Sequence, residues 1–316
     1  MESTHPHFLW WNGELVKWED ATIHLTEVAW STVGAVFEGI RAYWNDDQDD
    51  LSVFRLRDHL DRLMRSMKLV RLPIHYSVDE LHTAILSLLR DNEVREDTYI
   101  FPLAFTAETT KRRYDRPGFE SSLYITTKPM PSHLLTGMTH KVRVSSWRRI
   151  SEDMMPPRAK NISNYRNGQL ARIEAQADGY DNSLLLNIHG KVAEAPGACV
   201  VLIRNGVMIT PDLTSGILES ITRDAILTMA RDRLGIKVEE RIVDRTEMYL
   251  ADEAFLCGTA AEITPVVEVD KYRIGNGAIG PVTRDLDRLF NDVLRGQTES
   301  YADWRTPVGV AAPVGV

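Results

Sequence analysis

The chain has 316 residues, 43% of them hydrophobic and 26% charged, with a formal net charge of −8. That is the make-up of a globular protein long enough for one large or two medium domains, and an acidic balance without a basic run argues against a nucleic-acid partner. No apolar run approaches the roughly 20 residues that span a bilayer, the polar start Met1–His7 lacks an apolar signal core, and Cys199 and Cys257 form no metal-type spacing, so the chain reads as a cytoplasmic protein with no metal, no disulfide framework and no membrane contact.

Leu9–Trp18 reads as a short hairpin turning at Asn12-Gly13, a two-residue signal whose members tolerate positive φ. Glu27–Tyr43 is apolar and Gly-punctuated, and Leu51–Arg55 is a strand. Asp58 opens a helix with Leu60, Leu63, Met64 and Met67 on one face and Arg62 on the polar side. On residue type alone, Arg62 is a solvated helix arginine. Ser77 and Glu80 form a capping box before a helix with Leu81, Ile85, Leu88 and Leu89 inward. Thr98–Thr106 reads as a buried strand, Glu108–Gly118 as a polar, basic loop on the substrate side, and Leu123–Thr127 as another strand.

Pro129-Met130-Pro131 is a stiff break in the chain and marks the domain boundary. It divides a small α/β domain over 1–128 from a larger domain over 138–316, with a linker at 129–137 and a loose tail over Pro307–Val316. Beyond it, strands are expected near Val142–Trp147, Ser183–Ile188, Val200–Arg204, Val207–Thr210, Val238–Val243, Ala254–Cys257 and Val266–Val269. Helices follow Asn161, with Leu170, Ile173 and Ala177 before the stop at Gly179, and run over Ser220–Leu234 and Pro281–Leu294. Strand clusters broken by single helices point to an α+β fold.

Within this order, Met155–Tyr165 stands out: a Pro-stiffened approach, one lysine, a polar turn and a tyrosine in the first turn of a helix. A lysine fixed on both sides and partly desolvated can lose its proton and attack a carbonyl. Lys160 is such a lysine. After the next strand come Glu194-Ala195-Pro196-Gly197, then Ile221-Thr222-Arg223-Asp224, then Gly258-Thr259-Ala260-Ala261-Glu262, with Phe37-Glu38-Gly39-Ile40-Arg41 in the first half.

Together, in this order and spacing, these motifs resemble the branched-chain aminotransferases, class IV enzymes that use pyridoxal 5'-phosphate (PLP), from about Phe8 to Leu294. The resemblance implies a two-domain fold of the D-amino acid aminotransferase type with the cofactor between the domains. It also implies amino transfer from a branched-chain L-amino acid to a 2-oxo acid by a ping-pong route, and a homodimer or higher homo-oligomer whose Glu108–Gly118 loop reaches the neighbour's pocket. It makes Lys160 the residue joined to the cofactor aldehyde and the proton carrier. Glu194 faces the pyridine nitrogen and Tyr165 the ring hydroxyl; by type alone these are a turn carboxylate and a core tyrosine. Arg62, Ser220, Ile221, Thr222 and Thr259 hold the phosphate, where a forked guanidinium, a helix N-terminus and a Gly-permitted turn all suit a dianion. Thr259 also reads as an ordinary N-cap before a short helix. Phe37, Gly39, Tyr99, Phe101 and the N–H groups of Thr259 and Ala260 line the substrate site.

The chain departs from the family in places. Phe101 stands where typical members carry an arginine for the distal carboxylate of the acceptor. Thr32-Val33-Gly34 replaces an expected tyrosine and glycine, and Met130 and His133 replace linker aromatics. Glu219-Ser220 replaces Pro-Gly, and Glu219 is expected to point away from the phosphate. Arg112, Arg113 or Arg116 could replace the lost cation as a mobile clamp. An apolar Phe101 pocket also opens the alternative of an (R)-selective primary-amine transaminase, and the shared cofactor machinery that of an aminodeoxychorismate-type lyase.

Overall fold

The computed structural model describes residues 5–107 and 119–309. In chain order the first elements are β1 (Phe8–Trp11), β2 (Glu14–Lys17), α1 (Val28–Val33), β3 (Val36–Phe37), β4 (Ile40–Asn45), β5 (Asp50–Phe54), α2 (Leu56–Leu69), α3 (Val78–Asp91), β6 (Thr98–Ala107) and β7 (Glu120–Pro129). Then come β8 (His140–Arg148), α4 (Ile162–Ala177), β9 (Asn182–Leu186), β10 (Cys199–Arg204), β11 (Val207–Thr210), α5 (Ile221–Leu234), β12 (Lys237–Glu240) and α6 (Arg245–Tyr249). The last are β13 (Glu253–Gly258), β14 (Glu262–Val269), β15 (Tyr272–Arg273), α7 (Pro281–Leu294) and β16 (Arg305–Pro307). No helix among the described residues is long and apolar enough to cross a membrane.

The chain divides into two compact units. One comprises Met1–Ser132, Ala159–Ser163 and Asp292–Val316, and the other His133–Arg158 and Asn164–Asn291. Lys160 therefore belongs to the first unit although most of the chain around it belongs to the second.

The first unit is built on an antiparallel sheet ordered β16-β5-β4-β6-β7-β1-β2, with β3 also on β6. The Asn12-Gly13 turn takes φ of 49° and 98°, as a tight two-residue hairpin requires. Asn12 Oδ1 also accepts the Leu123 N–H at 2.8 Å, docking the hairpin on β7. α2 and α3 cover the opposite side of the core through Leu56, Leu60, Leu63, Leu81, Ile85, Leu88 and Leu89. The Ser77/Glu80 capping box is present in both directions. The β6 residues alternate, with Thr98, Ile100 and Ala104 buried and Tyr99, Phe101 and Leu103 half-buried on the other face.

The second unit is a mixed sheet ordered β12-β11-β10-β13-β14-β8-β9, with β15 on β14. β11·β12, β14·β8 and β8·β9 are parallel, the rest antiparallel. Ala225, Ile226, Met229 and Ala230 of α5 are buried as the pattern predicts.

α4 forms where the sequence places it, and one expectation, the loose tail from Pro307, fails. The buried residues of α4 are Asn164, Gly168, Ala171 and Ala175, while Ile173 is 55% exposed. The helix presses against main chain rather than against an apolar face: a Cβ on Gly168 would lie 3.2 Å from Pro196 Cα, so small residues win the seam. The stretch from Pro307 is not a loose tail at its start. β16 pairs with β5, the Val308 N–H donates to Leu51 O at 2.8 Å, Arg90 Nη1 donates to Val308 O at 2.8 Å, and Val308 is buried. Residues 310–316, and the 108–118 loop with Arg112, Arg113 and Arg116, lie outside the described residues.

Candidate active site

In the first unit Lys160 is fixed by its own main chain. Its N–H donates to Ser66 Oγ at 3.1 Å, and its carbonyl accepts the Phe37 N–H at 3.0 Å. The next residues continue the clamp: Asn161 bridges to Val36, and the Ile162 N–H donates to Ala35 O at 2.8 Å. Asn161 Oδ1 accepts the Ser163 N–H at 2.8 Å, which is N-cap geometry at the head of α4. The lysine thus sits between a sheet edge and a helix start, with Nζ 4.6 Å from the Phe37 ring centroid.

Below it lies a buried charge network. Glu38 is fully buried and takes Arg62 in a fork, Nε to Oε1 at 2.7 Å and Nη2 to Oε2 at 2.8 Å, while His59 Nδ1 stands 2.8 Å from Oε2. Burial pushes the Glu38 carboxyl up, but the Arg62 charge and hydrogen bonds, with His59 behind them, outweigh it and bring the pKa to about 2. Burial drives His59 down, Glu38 opposes this, and the cations of Arg62 and Lys160 add to it. Arg62, read from sequence on the polar side of its helix, is only 4% exposed. Glu38 faces inward with it and holds its fork in one plane.

On the half-buried face of β6 the substrate candidates form one aromatic row. Phe37 and Phe101 have ring centroids 5.3 Å apart, Phe101 and Tyr99 6.3 Å, and Phe101 and Tyr124 6.4 Å. Gly39 makes the row possible, because a Cβ there would come 2.1 Å from the Tyr99 hydroxyl. Arg41, in the same motif, is buried and structural: Nη2 donates to Met130 O at 2.6 Å and its guanidinium lies 4.9 Å from the Tyr43 ring centroid.

In the second unit Glu194 is only 8% exposed, so the solvated-turn alternative fails. Arg149 Nη2 stands 2.8 Å from its Oε1, and the Leu218 N–H donates to its Oε2 at 3.0 Å. Arg149 Nε also donates to Gly216 O at 3.2 Å. Gly197, at φ 77°, turns the chain after Glu194 beside the Tyr165 ring, which lies 3.8 Å from where its Cβ would be. Ser220 caps α5 by accepting the Arg223 N–H at 3.2 Å. This leaves the N–H groups of Ile221 and Thr222 at the helix front without an intrahelical acceptor, a ready seat for an anion. Arg223 of the same motif is a strut, donating to Thr210 Oγ1 at 3.1 Å, Pro211 O at 3.0 Å and Glu240 Oε2 at 2.8 Å. The foreign Glu219 is matched by Arg158, whose Nε lies 2.9 Å from Oε1.

Thr259 and Ala260 stand in a hairpin turn between β13 and β14, with Gly258 paired to Glu262, so Thr259 is no N-cap of a short helix. Gly258 packs closely on the facing main chain: a Cβ there would lie 3.2 Å from Gly197 O. Glu262 is buried at φ 42° and accepts the His133 N–H at 2.9 Å. The His133 ring holds the same turn, with Nε2 2.9 Å from Ala261 O and Nδ1 3.0 Å from Glu262 Oε2.

Residue reasoning did not find Arg149, His59, Ser66 or the role of His133. Arg149 follows Arg148 at a strand end with no local pattern to single it out, and Ser66 lies far in sequence from the lysine it holds. Glu38 was the one recoverable residue: an acidic side chain inside an apolar run must have a partner when buried.

The donor set fits PLP. The first unit holds an immobilised lysine, and the second, taken by itself, holds a buried carboxylate backed by a guanidinium, a capped helix N-terminus and a glycine-tight turn, each a group of the kind that PLP requires. Residues 35–269 match the family model described as amino-transferase class IV. The probable branched-chain-amino-acid aminotransferase of Aquifex aeolicus is 39% identical over 310 residues, 98% of this chain and 99% of that protein. The branched-chain-amino-acid aminotransferase of Escherichia coli K12 is 37% identical over 307 residues, 96% of this chain and 98% of that one. Among solved structures, the branched-chain amino acid aminotransferase of Thermobaculum terrenum in its PLP holo form superposes with a TM-score of 0.94 at 49% identity, covering 97% of this chain and 100% of that one.

Proposed function

The chain belongs to the class IV aminotransferase family, and on that premise we propose that it is a PLP-dependent enzyme moving the amino group of a branched-chain L-amino acid to a 2-oxo acid. The observation that carries the reading is Lys160 itself, immobilised at both of its peptide groups by Ser66 and Phe37.

The cofactor, when bound, supplies an electron sink for the carbanion left when the substrate α-proton departs. Lys160 Nζ takes that proton from the substrate α-carbon and holds it for return. Glu194, oriented by Arg149 and the Leu218 N–H, would hold the pyridine nitrogen in its protonated form, and Tyr165 would serve the ring oxygen. Arg62, Ser220, Ile221, Thr222 and Thr259 would hold the phosphate. The N–H groups of Thr259 and Ala260 receive the substrate α-carboxylate, and Phe37, Gly39, Tyr99 and Phe101 shape an apolar seat for its side chain.

Cytoplasmic residence and assembly as a homodimer or higher oligomer complete the proposal. Two free buried cysteines are consistent with a reducing compartment. Leu15, Trp18, Ile23, Leu25, Val28 and Val33, all at least 41% exposed on the first unit, favour a covered surface. Phe101 in its aromatic row favours a second activity, acceptance of an (R)-configured arylalkyl amine in place of the amino acid.

Purified protein with PLP, L-leucine and 2-oxoglutarate should form L-glutamate, and borohydride should trap the cofactor on a peptide containing Lys160. A label on another lysine, or turnover undiminished in Lys160→Ala, overturns the reading. Bleaching of the cofactor by (R)-1-phenylethylamine tests the second activity, which fails if only L-amino acids react.

A further inference from the structure

Phe101 removes the cation expected to meet an acceptor's distal carboxylate, yet a cation stands on the same face of the sheet. Lys128 of β7 pairs directly opposite Tyr99 of β6, and its Nζ lies 5.4 Å from the Tyr99 ring centroid. Tyr99 is stacked beside Phe101 at 6.3 Å with 26° between the planes, Phe101 is followed by Phe37 at 5.3 Å, and Lys160 Nζ lies over Phe37 at 4.6 Å. The aromatic row therefore runs between two ammonium groups, the reacting one at Phe37 and a second at Tyr99.

The other cation in register with Tyr99 is Arg41, which is buried and committed to the Met130 carbonyl. Lys128 is exposed, and among the described residues no carboxylate forms an ion pair with it. An exposed ammonium beside an aromatic ring, with no counter-charge among the described residues, is open to an arriving carboxylate. Its four-carbon stem can swing along the row to meet ligands of different length.

We propose that Lys128 is the specificity residue that receives the distal carboxylate of a dicarboxylic substrate, glutamate in one half-reaction and 2-oxoglutarate in the other. The row between Phe37 and Tyr99 houses the substrate's methylene groups or, for a branched-chain substrate, its whole side chain. One site thus serves both an apolar and an anionic partner, with the anion read at the end of the row rather than at position 101. This assignment rests on the aminotransferase reading above.

The test uses PLP-loaded wild type, Lys128→Met and Lys128→Arg. Each is mixed rapidly with L-glutamate or L-leucine, and the second-order rate of the cofactor absorbance change is measured. Loss of a charge-assisted contact should lower the glutamate-to-leucine ratio about tenfold or more in Lys128→Met, whereas Lys128→Arg keeps it within about threefold. Added NaCl should depress the glutamate rate in wild type more than in Lys128→Met. A cofactor spectrum equal to wild type shows that the variant is folded and loaded. An unchanged ratio in Lys128→Met, or equal loss with both donors, overturns the assignment. Wild type that reacts with leucine alone overturns it too while leaving the aminotransferase reading intact, and wild type that reacts with neither donor removes both.

Discussion

Arg149 Nη2 lies 2.8 Å from Glu194 Oε1 while the Leu218 N–H reaches Oε2 at 3.0 Å, so each carboxylate oxygen already has a donor before any ligand arrives. A carboxyl oxygen has more than one acceptor direction, so Glu194 can still accept from a protonated ring nitrogen while its plane is held by protein. Replacing Arg149 by Met should leave Glu194 buried with one partner fewer. The expected result is a fall in kcat of about 10- to 100-fold, the worth of one charge-assisted hydrogen bond, and a changed absorbance maximum of bound cofactor. Arg149→Lys restores the charge but not the fork, and should recover part of the loss. A kinetic profile unchanged in Arg149→Met would show that Glu194 needs no such support.

The hydrogen bonds at the Lys160 peptide groups do not depend on its side chain. Lys160→Ala should therefore fold as the wild type does and still bind PLP, without a covalent link. Turnover should drop by at least about 10³-fold, within the range that a positioned general base contributes. Circular dichroism and PLP titration separate that outcome from misfolding, and exogenous methylamine restoring some turnover would identify the amine as the missing group.

The Glu38–Arg62 fork makes a prediction about acid. The Glu38 pKa in the folded state is lowered from 4.5 to about 2, so the unfolded chain takes up the proton first as pH falls. The pair's contribution is present in full above the unfolded value, shrinks as pH drops below 4.5, and is lost on passing through about 2. Glu38→Gln leaves a buried guanidinium without its counter-charge, which should cost about 3–5 kcal/mol at neutral pH. Thermal unfolding measured from neutral to acid pH should show the wild type converging on the variant at low pH. Parallel curves at constant separation would exclude the linkage.

Much of this was legible in the amino-acid order, and the rest was not, for physical reasons. The Asn12-Gly13 hairpin, the Ser77/Glu80 cap and the α5 and α7 helices follow from local chemistry that acts within a few residues. The lysine, the acid and the helix front proposed for the cofactor site lie in motifs whose residue types suit those tasks. Partners brought together by strand pairing were invisible: Lys128 meets Tyr99 only through the β6–β7 register, and Ser66 meets Lys160 across 94 positions of chain. The buried side of α4 carries no apolar pattern, because the helix packs closely on Pro196 and buries Gly168 and Ala171 there while Ile173 is exposed. The Arg305–Pro307 strand was missed because an edge strand this short has too few residues to show an alternation.

The remaining prediction concerns the turn at Thr259. His133 ties it from outside, through its own N–H to Glu262 Oε2 at 2.9 Å and through Nε2 to Ala261 O at 2.9 Å, and Thr264 Oγ1 donates to the same carbonyl at 2.7 Å. Glu262 holds a left-handed φ of 42°, a conformation that costs a non-glycine residue about 1–3 kcal/mol unless its surroundings impose it. His133→Phe keeps the ring volume and the main-chain N–H but deletes the polar contacts of the ring to Ala261 O, Thr264 Oγ1 and Glu262 Oε2. The turn should then sample other conformations, and the N–H groups of Thr259 and Ala260 should spend less time aimed at a carboxylate. Because that binding is used alike in ground and transition states, KM should rise for amino acid and 2-oxo acid together, by about 5- to 30-fold, with kcat changed much less. Glu262→Gly relieves the strained φ while removing the carboxylate, so it should raise KM by a similar factor with a smaller loss of thermal stability than Glu262→Ala. A fall in kcat at constant KM in His133→Phe would instead place the histidine in the chemistry rather than in the frame that presents the turn.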